Sequence, residues 1–158
     1  GRIGRALSGN LGNLPEEREL FLTLFNSANQ PFYDVSTLLE GIAKGEEERL
    51  GNILYWGEIW FRDLLVFKVT RDHSLLINQD KGKEIGDISE RLFLNQLQDS
   101  FRVIHDTSRF ITLRANKQLA LEVMMIRLAE TLLRMPGVEG SSGQVKIFEN
   151  KPLEPLNR

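Results

Sequence analysis

Residues 53–65 read Ile-Leu-Tyr-Trp-Gly-Glu-Ile-Trp-Phe-Arg-Asp-Leu-Leu, and their apolar positions recur at helical rather than strand spacing. Extended outward from the acidic Glu46, Glu47 and Glu48 to about Val69, the pattern gives one stripe of Leu50, Ile53, Leu54, Gly57, Trp60, Phe61 and Leu64. Trp56, Ile59 and Val66 carry apolar surface past that stripe. A helix covered on one side only has no use for so much, so this third helix is expected at the centre of the fold. Glu58, Arg62 and Asp63 interrupt the run, which stays short of the roughly 20 apolar residues that cross a bilayer.

On the N-terminal side, Pro15 followed by Glu16 and Glu17 suits a first helical turn and predicts a helix to about Ser27. Asn29 and Pro31 interrupt it, and Phe32, Val35, Leu38, Leu39 and Ile42 then define a second helix as far as Gly45. Downstream, a loop at residues 72–74 and a short turn at 75–78 are expected. A fourth helix is expected over about 89–112, with Leu92, Phe93, Leu97, Phe101 and Ile104 as its stripe. The fifth opens at Asn116, a favoured N-cap, and runs to about Arg134, where Pro136 and Gly137 stop it. The expected fold is all-α, a five-helix bundle over residues 14–135. Residues 136–158, rich in Gly, Ser, Pro and charge, are expected to form a flexible tail.

The chain has 158 residues, 41% of them hydrophobic, enough for one core. Its 20 basic and 22 acidic residues leave a net charge of -2, so no overall field draws it to nucleic acid. The absence of cysteine removes disulfides, thiolate zinc sites and a cysteine nucleophile, and the cytoplasm is the expected compartment. The opening Gly-Arg-Ile-Gly-Arg-Ala-Leu of residues 1–7 reads as the interior of a longer polypeptide.

No catalytic residue, cofactor site or metal site is expected. His73 and His105 lack the paired spacing of metal ligands, and His105, Asp106 and Ser108 would point in different directions from a helix. Gly137, Gly140 and Gly143 follow a helix instead of joining a strand to one, the wrong setting for a phosphate cradle. Trp56 and Trp60 have two readings, as core or as part of a surface facing another subunit.

The fifth helix projects as a polar face of Arg127, Glu130, Thr131 and Arg134 between two apolar groups. Leu119, Val123, Ile126 and Leu133 form one, and Leu121, Met125, Leu128 and Leu132 the other. Glu122 falls between the two groups and needs either solvent or a partner, for which Arg62 is the first candidate. Arg62 pairing with Glu58 at i, i+4 is the alternative.

Two stretches together resemble the C-terminal domain of clamp-loader subunits of bacterial DNA polymerase III, the delta-prime type above all. They are the stretch quoted above, residues 53–65, and the Arg-Ala-Asn-Lys-Gln-Leu-Ala-Leu-Glu-Val-Met-Met-Ile-Arg of residues 114–127. The Leu-Leu-Ile-Asn-Gln-Asp-Lys of residues 75–81 suits the segment between them. Residues 1–7 resemble the end of the lid of AAA+ clamp-loader subunits, with Gly4 in place of the arginine that reads the nucleotide. That departure favours a subunit which does not itself hydrolyse ATP over the gamma/tau ATPase.

The resemblance implies the end of an AAA+ lid domain over residues 1–13 and a helical collar over 14–135. The collar would hold a hetero-pentamer with gamma/tau and delta, and the whole assembly would meet the sliding clamp and primer-template DNA. Trp56, Arg62, Asp63, Asn116, Leu119, Ala120, Leu121 and Glu122 match the recurring positions and are the candidate interface or motif residues. In the tail, Gln144, Ile147 and Phe148 resemble the short peptides that dock on the sliding clamp. An unrelated ligand-binding or regulatory bundle, with a pocket beside the two tryptophans, is the competing reading.

Overall fold

The stretch around Gly57 forms a single helix of 24 residues, and the others arrange themselves about it. The computed structural model describes residues 14–28 and 32–134. These form α1 (Leu14–Ser27), α2 (Phe32–Ala43), α3 (Glu47–Thr70), α4 (Gly82–Arg91), α5 (Leu94–Thr112) and α6 (Lys117–Leu133). Two 3-10 turns, His73–Leu75 and Gln79–Lys81, lie between α3 and α4. The fold is all-helical, with no strand among the described residues. No helix is long and apolar enough to cross a membrane, among the described residues.

Helix α3 packs against α1, α4 and α5, while α6 packs against α5 and α2. Leu54, Phe61 and Leu64 of α3 are fully buried, and Trp60 nearly so. Each such side chain contributes about 1.5–3 kcal/mol by leaving water. Phe25 of α1 meets Trp60 and Phe61 edge-on, at ring-centroid separations of 6.1 and 5.6 Å. The two helices approach so closely that a Cβ on Gly57 would stand 2.5 Å from the Phe21 ring. Glycine at that position is therefore a packing requirement. Helix α3 ends where Arg71 adopts a left-handed conformation, φ 58°, and donates its N–H to the Phe67 carbonyl at 2.9 Å.

The segment after α3 departs from expectation. Six helices are present among the described residues where five were expected: Gly82–Arg91 forms a helix of its own, α4, and the helix expected over 89–112 begins only at Leu94. Helix α4 buries Ile85 and Ser89, and Lys68 of α3 donates to the Ser89 carbonyl at 2.7 Å, satisfying an end of α4. The chain then extends through Leu92 and Phe93 (ψ 144° and 155°), and the Gln96 side chain accepts the Phe93 N–H at 2.9 Å to start α5. Leu92 and Leu97 both reach the core, so the apolar spacing reads straight across a real break.

Helix α6 opens at Asn116, whose Oδ1 accepts the Leu119 N–H at 3.0 Å. It buries Leu121, Met124, Met125, Leu128 and Leu132. Of the polar face expected on it, Arg127, Glu130 and Arg134 are exposed, but Thr131 is buried against the core. The expected lid end at 1–13 and tail at 136–158, with Gln144, Ile147 and Phe148, lie outside the described residues.

Candidate functional site

Asp63 is the most heavily bonded of the residues singled out by sequence. It is fully buried one turn after Trp60, which points it at the segment leaving α3. Its Oδ1 accepts from the Ile77 N–H at 3.1 Å and its Oδ2 from the Asn78 N–H at 2.8 Å and the Asn78 side-chain amide at 2.9 Å. Arg62 donates to Asp63 Oδ1 at 2.6 Å and to the Leu75 carbonyl at 2.9 Å. A buried carboxylate with this many donors is compensated, and removing any donor leaves an expensive charge. The Arg-Asp pair of the motif thus fastens residues 75–78 to the central helix.

The fastening reaches α1. Arg18 forks onto Asp80 with bonds of 3.0 and 2.8 Å, also reaches the Asn78 side-chain oxygen at 3.3 Å, and lies 5.9 Å from the centre of the Trp56 ring. The Arg18 guanidinium holds the Asp80 carboxyl below its usual range. Its neighbour Glu17 is pushed up by burial, partly offset by a hydrogen bond from Asn52. Trp56 is half-buried and Trp60 is core; the indole N–H of each is buried without an acceptor among the described residues. Asn78 and Asp80 fall in the stretch 75–81 already noted for its resemblance, though nothing there showed what they bind, and Arg18 carries no signal of this role in the sequence.

The second motif sits elsewhere, on α6. Asn116 is the cap, Leu121 is fully buried, Ala120 packs against the core, and Leu119 points outward at 58% exposure. Glu122 accepts from Gln118 one turn earlier at 3.1 Å. It does not meet Arg62, whose bonds go to Asp63 and Leu75, so the Arg62–Glu122 pair is not formed. Val123 and Ile126 join Leu119 on the outer side, at 39% and 41% exposure, and Phe110 and Leu113 stand exposed at the end of α5. The outer side of α6 is therefore mixed: Leu119, Val123 and Ile126 stand exposed along its first half, with Arg127, Glu130 and Arg134 following on the same side.

Sequence reasoning passed over Gln96. Its amide donates to the carbonyls of Thr131, Leu132 and Arg134 at 3.1, 3.3 and 3.1 Å while its oxygen starts α5. One side chain thus joins the first turn of one helix to the last turn of the other. A glutamine at the third position of a helix was the available sign.

The histidines pack. His105 Nδ1 lies 3.2 Å from Glu58 Oε1 and its ring stacks on Phe101; His73 lies against Phe67 with ring centroids 4.4 Å apart. No cluster of three or more His, Asp or Glu suited to a metal ion occurs among the described residues. A surface groove of about 450 Å³ is lined by residues of both signs, among them Asp80, Lys81, Lys83, Glu84, Asp87 and Arg91, and lacks the apolar walls of a small-molecule pocket.

An all-helical domain whose sequence motifs resolve into a loop anchor and an outward apolar face has the makings of an assembly module. Residues 13–130 match the family described as DNA polymerase III, delta subunit, C terminal. The chain belongs to that family, and is the C-terminal domain of a DNA polymerase III clamp-loader subunit. No curated protein and no solved structure matches it.

Proposed function

We propose that this domain is the collar of a clamp-loader subunit of the delta-prime type, holding a hetero-pentamer with gamma/tau and delta in the cytoplasm. Through that assembly it takes part in loading the sliding clamp onto primer-template DNA. Chemistry on ATP would belong to other parts of the assembly. In this reading residues 1–13 are the end of an AAA+ lid and residues 14–135 the collar.

The observation that carries the reading is the set of apolar residues exposed on the outer side of α6. Leu119, Val123 and Ile126 share one exposed helix side at i, i+4 and i+7, and Phe110 and Leu113 are exposed at the end of α5, which supports an apolar contact surface. The narrower choice of delta-prime is supported by the order of the two motifs and by Gly4 where a nucleotide-reading arginine stands in AAA+ lids. The collar of the gamma/tau ATPase is the alternative. Size exclusion with light scattering, on this chain mixed with gamma/tau and with delta, tests it. A defined hetero-complex supports the collar, whereas separate elution at micromolar concentration of every pair and of the three together removes it.

A further inference from the structure

The outward row on α6 has the spacing of a coiled-coil seam. With Val123 at heptad position a, Leu119, Ile126 and Leu133 fall at d, Glu130 at the next a, Glu122 at g and Arg127 at e. The buried positions are Leu121, Met124, Met125, Leu128, Thr131 and Leu132 at b, c and f, together with Ala129 at one g position that flanks the seam. The side that a free coiled coil would turn to water faces this domain's core, and the seam is turned outward.

The charges along the seam specify what fits it. In a parallel pair, a g residue faces the e residue five positions further along the other helix. Glu122 and Arg127 are five apart, so a helix with the same flanking order satisfies both when parallel, whereas an antiparallel copy sets like against like. Glu130 then decides between partners, because a second copy would place Glu130 against Glu130 within an a layer, where a polar residue specifies pairing at a cost in stability. A different helix with a base at that layer meets no such penalty.

We propose that this seam receives a helix from a different clamp-loader subunit, apolar opposite Leu119, Val123, Ile126 and Leu133 and carrying lysine or arginine opposite Glu130. The proposal rests on the assembly reading and adds the face and the charge of the partner. Phe110 and Leu113 are exposed as well, in the residues that lead from α5 into α6.

The test uses the full chain with each other clamp-loader subunit, titrated by light scattering after size exclusion, with circular dichroism checking that each variant remains folded. Ile126→Ser and Glu130→Lys are expected to weaken the hetero-complex by about tenfold or more each, since both sit in the centre of the contact. Glu130→Leu is expected to make the chain pair with itself at concentrations where the unaltered chain does not. Four outcomes overturn the proposal. A hetero-complex indifferent to Ile126→Ser and Glu130→Lys would mean that assembly uses another face, leaving the collar reading intact. Self-pairing of the unaltered chain, lost in Ile126→Ser, would make the occupant a second copy. A complex that forms only after removal of residues 135–158 would assign the seam to the chain's own C-terminal segment. No complex with any subunit, alone or together, removes the collar reading itself.

Discussion

Asn78 meets Asp63 twice across fifteen residues of chain, donating its backbone N–H at 2.8 Å and its side-chain amide at 2.9 Å to the same carboxylate oxygen. Both residues are buried, so neither group has water to fall back on. Asp63→Ala is expected to cost roughly 2–4 kcal/mol in urea unfolding, from the stranded donors of Ile77 and Asn78. Asn78→Ala, which spares the backbone bond, should cost less. Equal losses for the two would mean that the side-chain amide carries the anchor.

Gly57→Ala sets two effects against each other. In a helix interior the change is worth about 1 kcal/mol in favour of alanine. Here the added Cβ would lie 2.5 Å from Phe21 Cε2. Overpacking of that kind costs about 1–3 kcal/mol, so net destabilisation is expected. Phe21→Leu placed on top should recover part of the loss, a non-additivity that thermal unfolding of the double variant will show.

Asp80 and Glu17 should move stability with pH in opposite senses. Asp80 has a lowered folded pKa because of Arg18, so its contribution is present above its unfolded value and fades as pH falls through the folded one. Asp80→Asn should therefore destabilise at pH 7 and become indistinguishable from the unaltered chain in acid. Glu17 has a raised folded pKa because burial disfavours its charge, so it weakens the fold at neutral pH and ceases to do so below its unfolded value. Glu17→Gln should stabilise at pH 7, with the gain vanishing near pH 4. Denaturant melts at both pH values check the pair of signs.

Gln96→Ala should release the carbonyls of Thr131, Leu132 and Arg134 together with the Phe93 N–H. A loss of about 1–2 kcal/mol is expected, concentrated as faster amide exchange in the last turn of α6 and the first of α5. Gln96→Glu keeps the acceptor and loses the donors, so it should protect only the α5 end. Uniform exchange along both helices in either variant would contradict the double role.

Reading the sequence located α1, α2, α3 and α6 to within a few residues because each carries several large apolar residues at helical spacing. It failed at α4, which has Ile85 and Ile88 but also Gly82 and Gly86, residues with poor helix propensity. What holds α4 as a helix is tertiary: Ile85 in the core, and Lys68 on the Ser89 carbonyl. Two motifs were legible as motifs, but not their division of labour. Asp63 and Arg62 bind a loop, Leu121 fills the core, and Leu119 faces outward. The angle of Glu122 on α6 left solvent and a buried partner both open; it lies at the margin and takes a hydrogen bond from Gln118. A helical projection gives angles between residues, and cannot say how much of the circumference the neighbours cover.

The bonds of Arg18 to Asn78 and Asp80 close chain separations of 60 and 62 residues. Helices α5 and α6 are joined by a short turn and need no such closure before they pack. Local hairpins form ahead of distant pairings, so α1 is expected to dock last, with mutations at Arg18 speeding unfolding more than they slow folding. On the ribosome α1 is nonetheless made before the other five helices, and its apolar side waits without a partner until α3 has emerged, its polar clasp until residue 80 has. Order of synthesis and order of docking run in opposite directions along this chain.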